Sequence, residues 1–188
     1  MKEPPRFAQA LAFAATAHAG QVRKGTSIPY ISHPLAVAAL AMEHGANEDQ
    51  AIAALLHDTI EDCGVTDSQI TELFGAYVAL MVRDCTDTDT TPKPPWKERK
   101  QAYLAGLAAK PAESLLISAC DKLHNMRCIV ADLHRDGIAT LQRFNGGAEG
   151  TLWYYTALCN EFAISGRLPL ALMAALQAEC QRLREGLR

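Results

Sequence analysis

One stretch carries the chain's densest set of groups capable of chemistry: Ala53-Ala54-Leu55-Leu56-His57-Asp58-Thr59-Ile60-Glu61-Asp62. An imidazole and three carboxylates can ligate a cation or move protons. On a continuous helix His57 stands above Glu61 and Asp58 above Asp62, so the four form one polar patch. Ile52, Leu56 and Ile60 then form a column on the opposite, buried side. Gly64 stops the helix, which places both terminal acids at its C-terminus. Acids there oppose the helix dipole, at roughly 0.3–1 kcal/mol each. That cost points to chemistry. A lone His-Asp pair is more often a solvated helix end than a ligand, so the reading depends on partners. Two stretches supply them: Tyr30-Ile31-Ser32-His33-Pro34 and Cys120-Asp121-Lys122-Leu123-His124-Asn125-Met126-Arg127. They add a second His and a further Asp on expected helices.

His33, His57-Asp58 and Asp121 resemble the H…HD…D signature of the HD-domain metal phosphohydrolases. Four narrower matches are Gly20-Gln21-Val22-Arg23-Lys24, Tyr30 to Pro34, Ala54 to Asp62, and Asp121 to Arg127. They resemble the hydrolase domain of the RelA/SpoT group, specifically its small single-domain alarmone hydrolases, over roughly Phe7 to Tyr155. The resemblance implies an all-α, HD-domain helical bundle in which His33, His57, Asp58 and Asp121 hold one ion. Nitrogen and oxygen donors without thiolate suit Mn²⁺, Fe²⁺, Co²⁺ or Ni²⁺, and the resemblance favours Mn²⁺. It implies hydrolysis of the 3′-diphosphate of guanosine tetraphosphate or pentaphosphate, giving GDP or GTP and pyrophosphate.

Glu61 and Asp62 lie one turn from the ligands, where either can act as general base. By resemblance, Arg23 stacks on or near the guanine and Lys24 contacts phosphate. Asn125 touches substrate below Asp121, while Lys97, Arg99 and Lys100 compete to hold the distal phosphate. Cys128 stands where related hydrolases often carry Thr, which removes a hydroxyl from the nucleoside pocket. Other readings remain open: an adenosine alarmone as substrate, a nucleotidase or NADPH 2′-phosphatase on the same metal site, or a nucleotide sensor without turnover. The Glu61-Asp62 pair argues against the sensor.

Hydrophobic residues make up 49% of the 188 residues and aromatics only 6%, a balance that favours packed helices over sheets. One domain over residues 1–188 is expected, with its core at about 7–155 and closing helices at about 150–186. The net charge of −3 argues against nucleic-acid partners, and the separated cations suit a small polyanion. The apolar segments are too short and too charged to cross a membrane, and Met1 to Arg6 do not lead into a signal peptide. A soluble cytoplasmic protein is expected. Cys63, Cys85, Cys120, Cys128, Cys159 and Cys180 show no CxxC spacing and read as reduced thiols.

Several elements must position these groups. Pro4-Pro5 opens a first helix, which His18 ends by bonding the following loop. Pro34 fits a helix's first position, with Leu35, Ala38, Ala39 and Met42 at core spacing, and His44 caps that helix. Thr66-x-x-Gln69 forms a capping box. Asp84 to Pro95 reads as a mobile polar loop beside the site. Leu115 to Leu133 is a second central helix with Leu116, Ala119, Leu123, Met126, Val130 and Leu133 inward. His124 lies off the Asp121–Asn125 face and reads as structural. Trp153-Tyr154-Tyr155 opens a helix that walls the pocket or packs in the core. Pro169 starts a last helix that closes the bundle or pairs copies into a homo-oligomer.

Overall fold

A computed structural model describes residues 5–90 and 92–187; Met1 to Pro4, Thr91 and Arg188 lie outside it, and with them the expectation placed on Pro4. Ten α-helices follow in order: α1 Arg6–Ala17, α2 Ser32–Glu43, α3 Glu48–Leu56, α4 Thr59–Cys63, α5 Asp67–Phe74, α6 Ala76–Cys85, α7 Trp96–Gly106, α8 Ala112–Asp136, α9 Gly147–Ser165 and α10 Leu170–Gly186. Short 3₁₀ turns occupy Leu107–Ala109 and Ile138–Arg143. Among the described residues no strand forms, and the fold is all-α. Val22 and Pro29 make a lone antiparallel bridge that closes the 20–29 loop on itself.

Two helices form the axis of the bundle. α3 starts at Asn47, whose side chain and that of Gln50 cap each other's backbone N–H groups. From Gln50 to Leu56 every residue is buried, as befits a helix that is apolar all round. α1, α2, α6 and α8 pack on it. α8 is held by α2, α3 and α6 on one side and α10 on the other. Its expected stripe is buried throughout. Glu113 in its first turn and His134 and Arg135 in its last complement the dipole. Gly137, at φ +74°, ends it, a conformation glycine adopts without penalty.

The structure corrects three expectations about elements. The motif helix is broken: α3 ends at Leu56, His57 and Asp58 form a turn, and α4 begins at Thr59. Side chains take over backbone acceptors there. Thr59 Oγ1 donates to Leu56 O at 2.7 Å, and His57 Nδ1 lies 2.9 Å from Ala54 O. Glu61 and Asp62 therefore sit in the first turn of a new short helix, and the dipole argument for their role no longer applies. On α2 the buried face is His33, Pro34, Val37, Ala38, Leu40 and Ala41, while Leu35 and Met42 are 43% and 47% exposed and Ala39 faces solvent. An Ala-rich helix offers two apolar faces by periodicity, and the one carrying His33 inward packs on α3 and α8. Finally, α9 begins at Gly147, two turns before Trp153.

Candidate metal centre and substrate pocket

Three helices bring the ligand candidates together. His33 stands in the first turn of α2, His57 and Asp58 at the break between α3 and α4, and Asp121 in the middle of α8. His33 Nε2 lies 3.1 Å from Asp121 Oδ1 and 3.5 Å from Asp58 Oδ2. His57 Nε2 lies 3.1 Å from Asp58 Oδ2 and 3.8 Å from Asp121 Oδ1. Both rings are 1% exposed. His57 Nδ1 donates to Ala54 O, so Nε2 is the nitrogen turned to the cluster, where burial is outweighed by Asp58 and Asp121, which raise the ring to about 10. That Nε2 is buried without a hydrogen-bond partner. Ligand atoms of His33, His57 and Asp58 lie within 4.8 Å of one another, with Asp121 Oδ1 against His33 Nε2, and such nitrogen and oxygen donors fit a divalent cation.

The surroundings keep the acids ionised. Burial alone would raise the Asp121 carboxyl, but Lys122 and the two imidazoles hold it well below the usual carboxylate range. Asp58 is likewise lowered against burial, chiefly by His57. Tyr30 donates to Asp58 Oδ2 at 2.7 Å and reaches Asp62 Oδ2 at 3.2 Å. Burial, then Asp58 and Asp62, push its phenol well above its ordinary range, so it remains a donor. Asp62 is raised from the ordinary value by burial and by Asp58 and Glu61.

His124 does not behave as the off-face residue expected. Its Nδ1 lies 2.7 Å from His33 Nδ1, so it fixes the ring of a ligand candidate and lines the pocket. His124 is three positions after Asp121, and residues at that spacing are neighbours on a helix surface. Burial, then His33 and Arg23, lower its pKa to about 4, so the ring stays neutral and its Nδ1 can accept the N–H of His33. His18 acts as expected, with Nδ1 at 2.8 Å from Gln21 of the following loop.

Beside the cluster opens a cavity of about 620 Å³. Arg23, Lys24, Asp62, Lys100, Asn125 and Cys128 line it. Arg23 Nη2 donates to Asn125 Oδ1 at 2.6 Å, and Asn125 Nδ2 donates to Asp121, which links the loop to the ligand cluster. The three cations of α7 separate. Lys100 faces the cavity; Lys97 lies over the Trp153 ring at 4.1 Å; Arg99 pairs with Asp87. Glu61 turns to Lys93 Nζ at 2.9 Å and the Asp87 N–H at 3.2 Å, and does not line the cavity. The polar loop after α6 thus lies beside the site, tied through Asp87, which also accepts from Lys100 at 2.7 Å.

Several lining residues had no role assigned from sequence: Lys122, Tyr30, Trp96, Asp132 and Arg143. Asp132 lies eleven positions after Asp121, a helical spacing that reveals it; Trp96 and Arg143 had no such signal. Trp96 seats its ring in a notch made by two glycines. A Cβ at Gly146 would come within 2.6 Å of that ring and one at Gly150 within 3.1 Å. Tyr154 and Tyr155 are buried and also line the cavity, so they serve both wall and core.

A family model for the HD domain matches residues 10–143. Among curated proteins, the chain is 39% identical over 122 residues to the guanosine-3′,5′-bis(diphosphate) 3′-pyrophosphohydrolase MESH1 of Xenopus tropicalis, covering 63% of this chain and 66% of that protein. It is 36% identical over 136 residues to the Homo sapiens MESH1, covering 71% and 72%. The chain thus spans just under two thirds of the frog relative. A solved structure described as a metazoan ortholog of SpoT that hydrolyzes ppGpp superposes with a TM-score of 0.78 at 25% identity, covering 100% of this chain and 99% of the other. With the family model matched from α1 to the turn after α8, and the HD pair seated at the α3–α4 break among its partner His and Asp, this chain belongs to the HD domain family.

Proposed function

We propose that this chain hydrolyses the 3′-diphosphate of guanosine tetraphosphate or pentaphosphate to GDP or GTP and pyrophosphate. The observation that supports the reading is that His33, His57, Asp58 and Asp121 cluster beside a cavity lined by Arg23, Lys24, Lys100 and Lys122, joined to it through Tyr30, His124 and Asn125. His33, His57, Asp58 and Asp121 would hold the ion, which we take as Mn²⁺ from the mixed donor set and the family. Such an ion withdraws charge from phosphoryl oxygens and lowers the pKa of water.

The chain's own residues do the rest. Asp62 faces the cavity with a carboxyl raised by burial, and we assign it the proton of the attacking water. The water oxygen bonds to the phosphorus on the 3′ oxygen, the P–O3′ bond breaks, and the proton taken by Asp62 passes to that oxygen to give the 3′-hydroxyl. Tyr30 orients Asp58 and Asp62. Glu61 holds the Asp87–Lys93 loop rather than the water. Lys100 and Lys122 take the departing pyrophosphate. Lys100 is lowered by burial and by Lys122. The partner is a small nucleotide and not a nucleic acid, since the cations converge in one cavity of a chain with net charge −3. We infer a cytoplasmic protein, a reading that the six free thiols support.

Chromatography of the products formed from guanosine tetraphosphate with Mn²⁺ tests the reading, with NADPH and 5′-monophosphates run in parallel. GDP and intact pyrophosphate are expected. Orthophosphate from NADPH or monophosphates, with no pyrophosphate from the tetraphosphate, would move the chain to the nucleotidases.

A further inference from the structure

The cavity continues past the metal centre along α8. Asp121, Asn125, Cys128 and Asp132 share one stripe of that helix, and Asp132 stands about three turns, roughly 16 Å, from Asp121. Asp132 is a buried carboxylate on a wall otherwise rich in cations, and is 7% exposed. Arg135 Nη2 donates to its Oδ1 at 2.7 Å and Arg143 Nη2 donates to its Oδ2. Arg143 comes from the turn after α8 and crosses the Arg23 loop at Gly25, where a Cβ would lie 2.7 Å from its Cδ. Its Nε is buried without a hydrogen-bond partner. A buried donor left unpaired is costly, and this one belongs to a residue that lines the cavity.

Each oxygen of Asp132 keeps an acceptor site beyond its arginine. Those sites repel phosphate oxygens, so this stretch of the cavity suits the uncharged, donor-bearing edge of a base. We propose that Asp132 and Arg143 read the base and select guanine. Guanine carries N1–H and its N2 amino group side by side, two donors for the two oxygens of one carboxylate. Its O6 lies next to them, an acceptor for Arg143. Adenine offers a single amino group on that edge and an acceptor at N1, which a carboxylate opposes. The inference rests on the reading of the cavity as a purine-nucleotide site.

Calorimetric affinities of the Mn²⁺-loaded full chain for GDP and ADP test it without turnover. GDP should bind about 10- to 100-fold more tightly, the range of one bidentate base contact. Asp132→Asn keeps the shape but offers one oxygen, so it should weaken GDP by a similar factor and leave ADP nearly unchanged. Arg143→Gln should also weaken GDP selectively, which keeps the test decisive if Asp132→Asn melts early. Equal affinity of the wild type for GDP and ADP overturns the inference. So does an Asp132→Asn that weakens both alike, the mark of a merely structural carboxylate. Pyrophosphate release from guanosine tetraphosphate is measured separately. Intact GDP preference without turnover removes the hydrolase reading and keeps this inference; turnover without preference does the reverse.

Discussion

The two ends of the cavity that would meet the phosphates are built on different principles. At the metal end, four side chains arrive from three core helices, and each is fixed by something else: His57 by Ala54 O, His33 by His124, Asp58 by Tyr30, Asp121 by Lys122. At the cationic rim, Lys24 is exposed on a loop and Lys100, half-buried in the second turn of α7, is held by Asp87. Geometry at the first end belongs to the core; at the second it belongs to side-chain contacts. Substitutions at the metal end should therefore remove chemistry and stability together, and those at the rim should remove binding alone.

The largest effect should come from Asp121→Ala. It deletes a ligand and strands the buried Lys122, and an unpaired buried charge costs about 3–5 kcal/mol. Bound metal measured by atomic emission, turnover and melting temperature should all fall. Chelation of the wild type should abolish turnover, with recovery on adding Mn²⁺. A variant that keeps its metal and its melting temperature would erase the contrast between the ends.

Next in size is Asp62→Asn, with metal content unchanged and kcat lower by about 10²–10⁴, the usual range for an acid–base group. Glu61→Gln should lose much less, since it acts through the loop contacts of Lys93 and Asp87. Equal losses in the two variants would end the assignment of Asp62 as the proton acceptor.

What was legible in the sequence follows the same division. His33, His57, Asp58 and Asp121 lie on or at the ends of helices whose apolar stripes read correctly, and a motif gave their order. The stripe of α8 was exact because its inward residues are large; that of α2 was not, because alanines fit either face. The break at His57-Asp58 escaped because it depends on two side-chain bonds to backbone carbonyls, which periodicity does not register. At the rim, sequence gave a set of cations but not their partners. Asp87 takes Arg99, and Trp153 takes Lys97. Those pairings span a loop and two helices, so only the folded chain sorts Lys100 from its neighbours.

That sorting makes a prediction of middle size. Lys100→Ala should raise KM for guanosine tetraphosphate about 10-fold or more with a smaller change in kcat, as a charge-assisted contact worth about 1.5–3 kcal/mol is lost. Lys97→Ala should leave both constants nearly unchanged, because its ammonium rests on an indole. Equal shifts in KM would return Lys97 to the phosphate site.

The smallest effect sharpens the contrast most, because it acts on the rim through packing alone. Gly106 ends α7 in ordinary helical conformation with open space around a new Cβ, so Gly106→Ala should stabilise by about 0.4–1 kcal/mol. Gly150 lies inside α9, where the same substitution carries a similar intrinsic gain. There, however, the methyl would sit 3.1 Å from the Trp96 ring, which must shift by a few tenths of an ångström. Overpacking of this kind costs about 1–3 kcal/mol. Trp96 begins α7, and Lys100 follows one turn later on the same helix, so a displaced indole should carry Lys100 with it. Gly150→Ala should therefore lower the melting temperature and raise KM a few-fold, while Gly106→Ala raises the melting temperature and leaves KM alone. If both variants stabilise and neither moves KM, the glycine notch does not position the rim, and Lys100 owes its place to Asp87 alone.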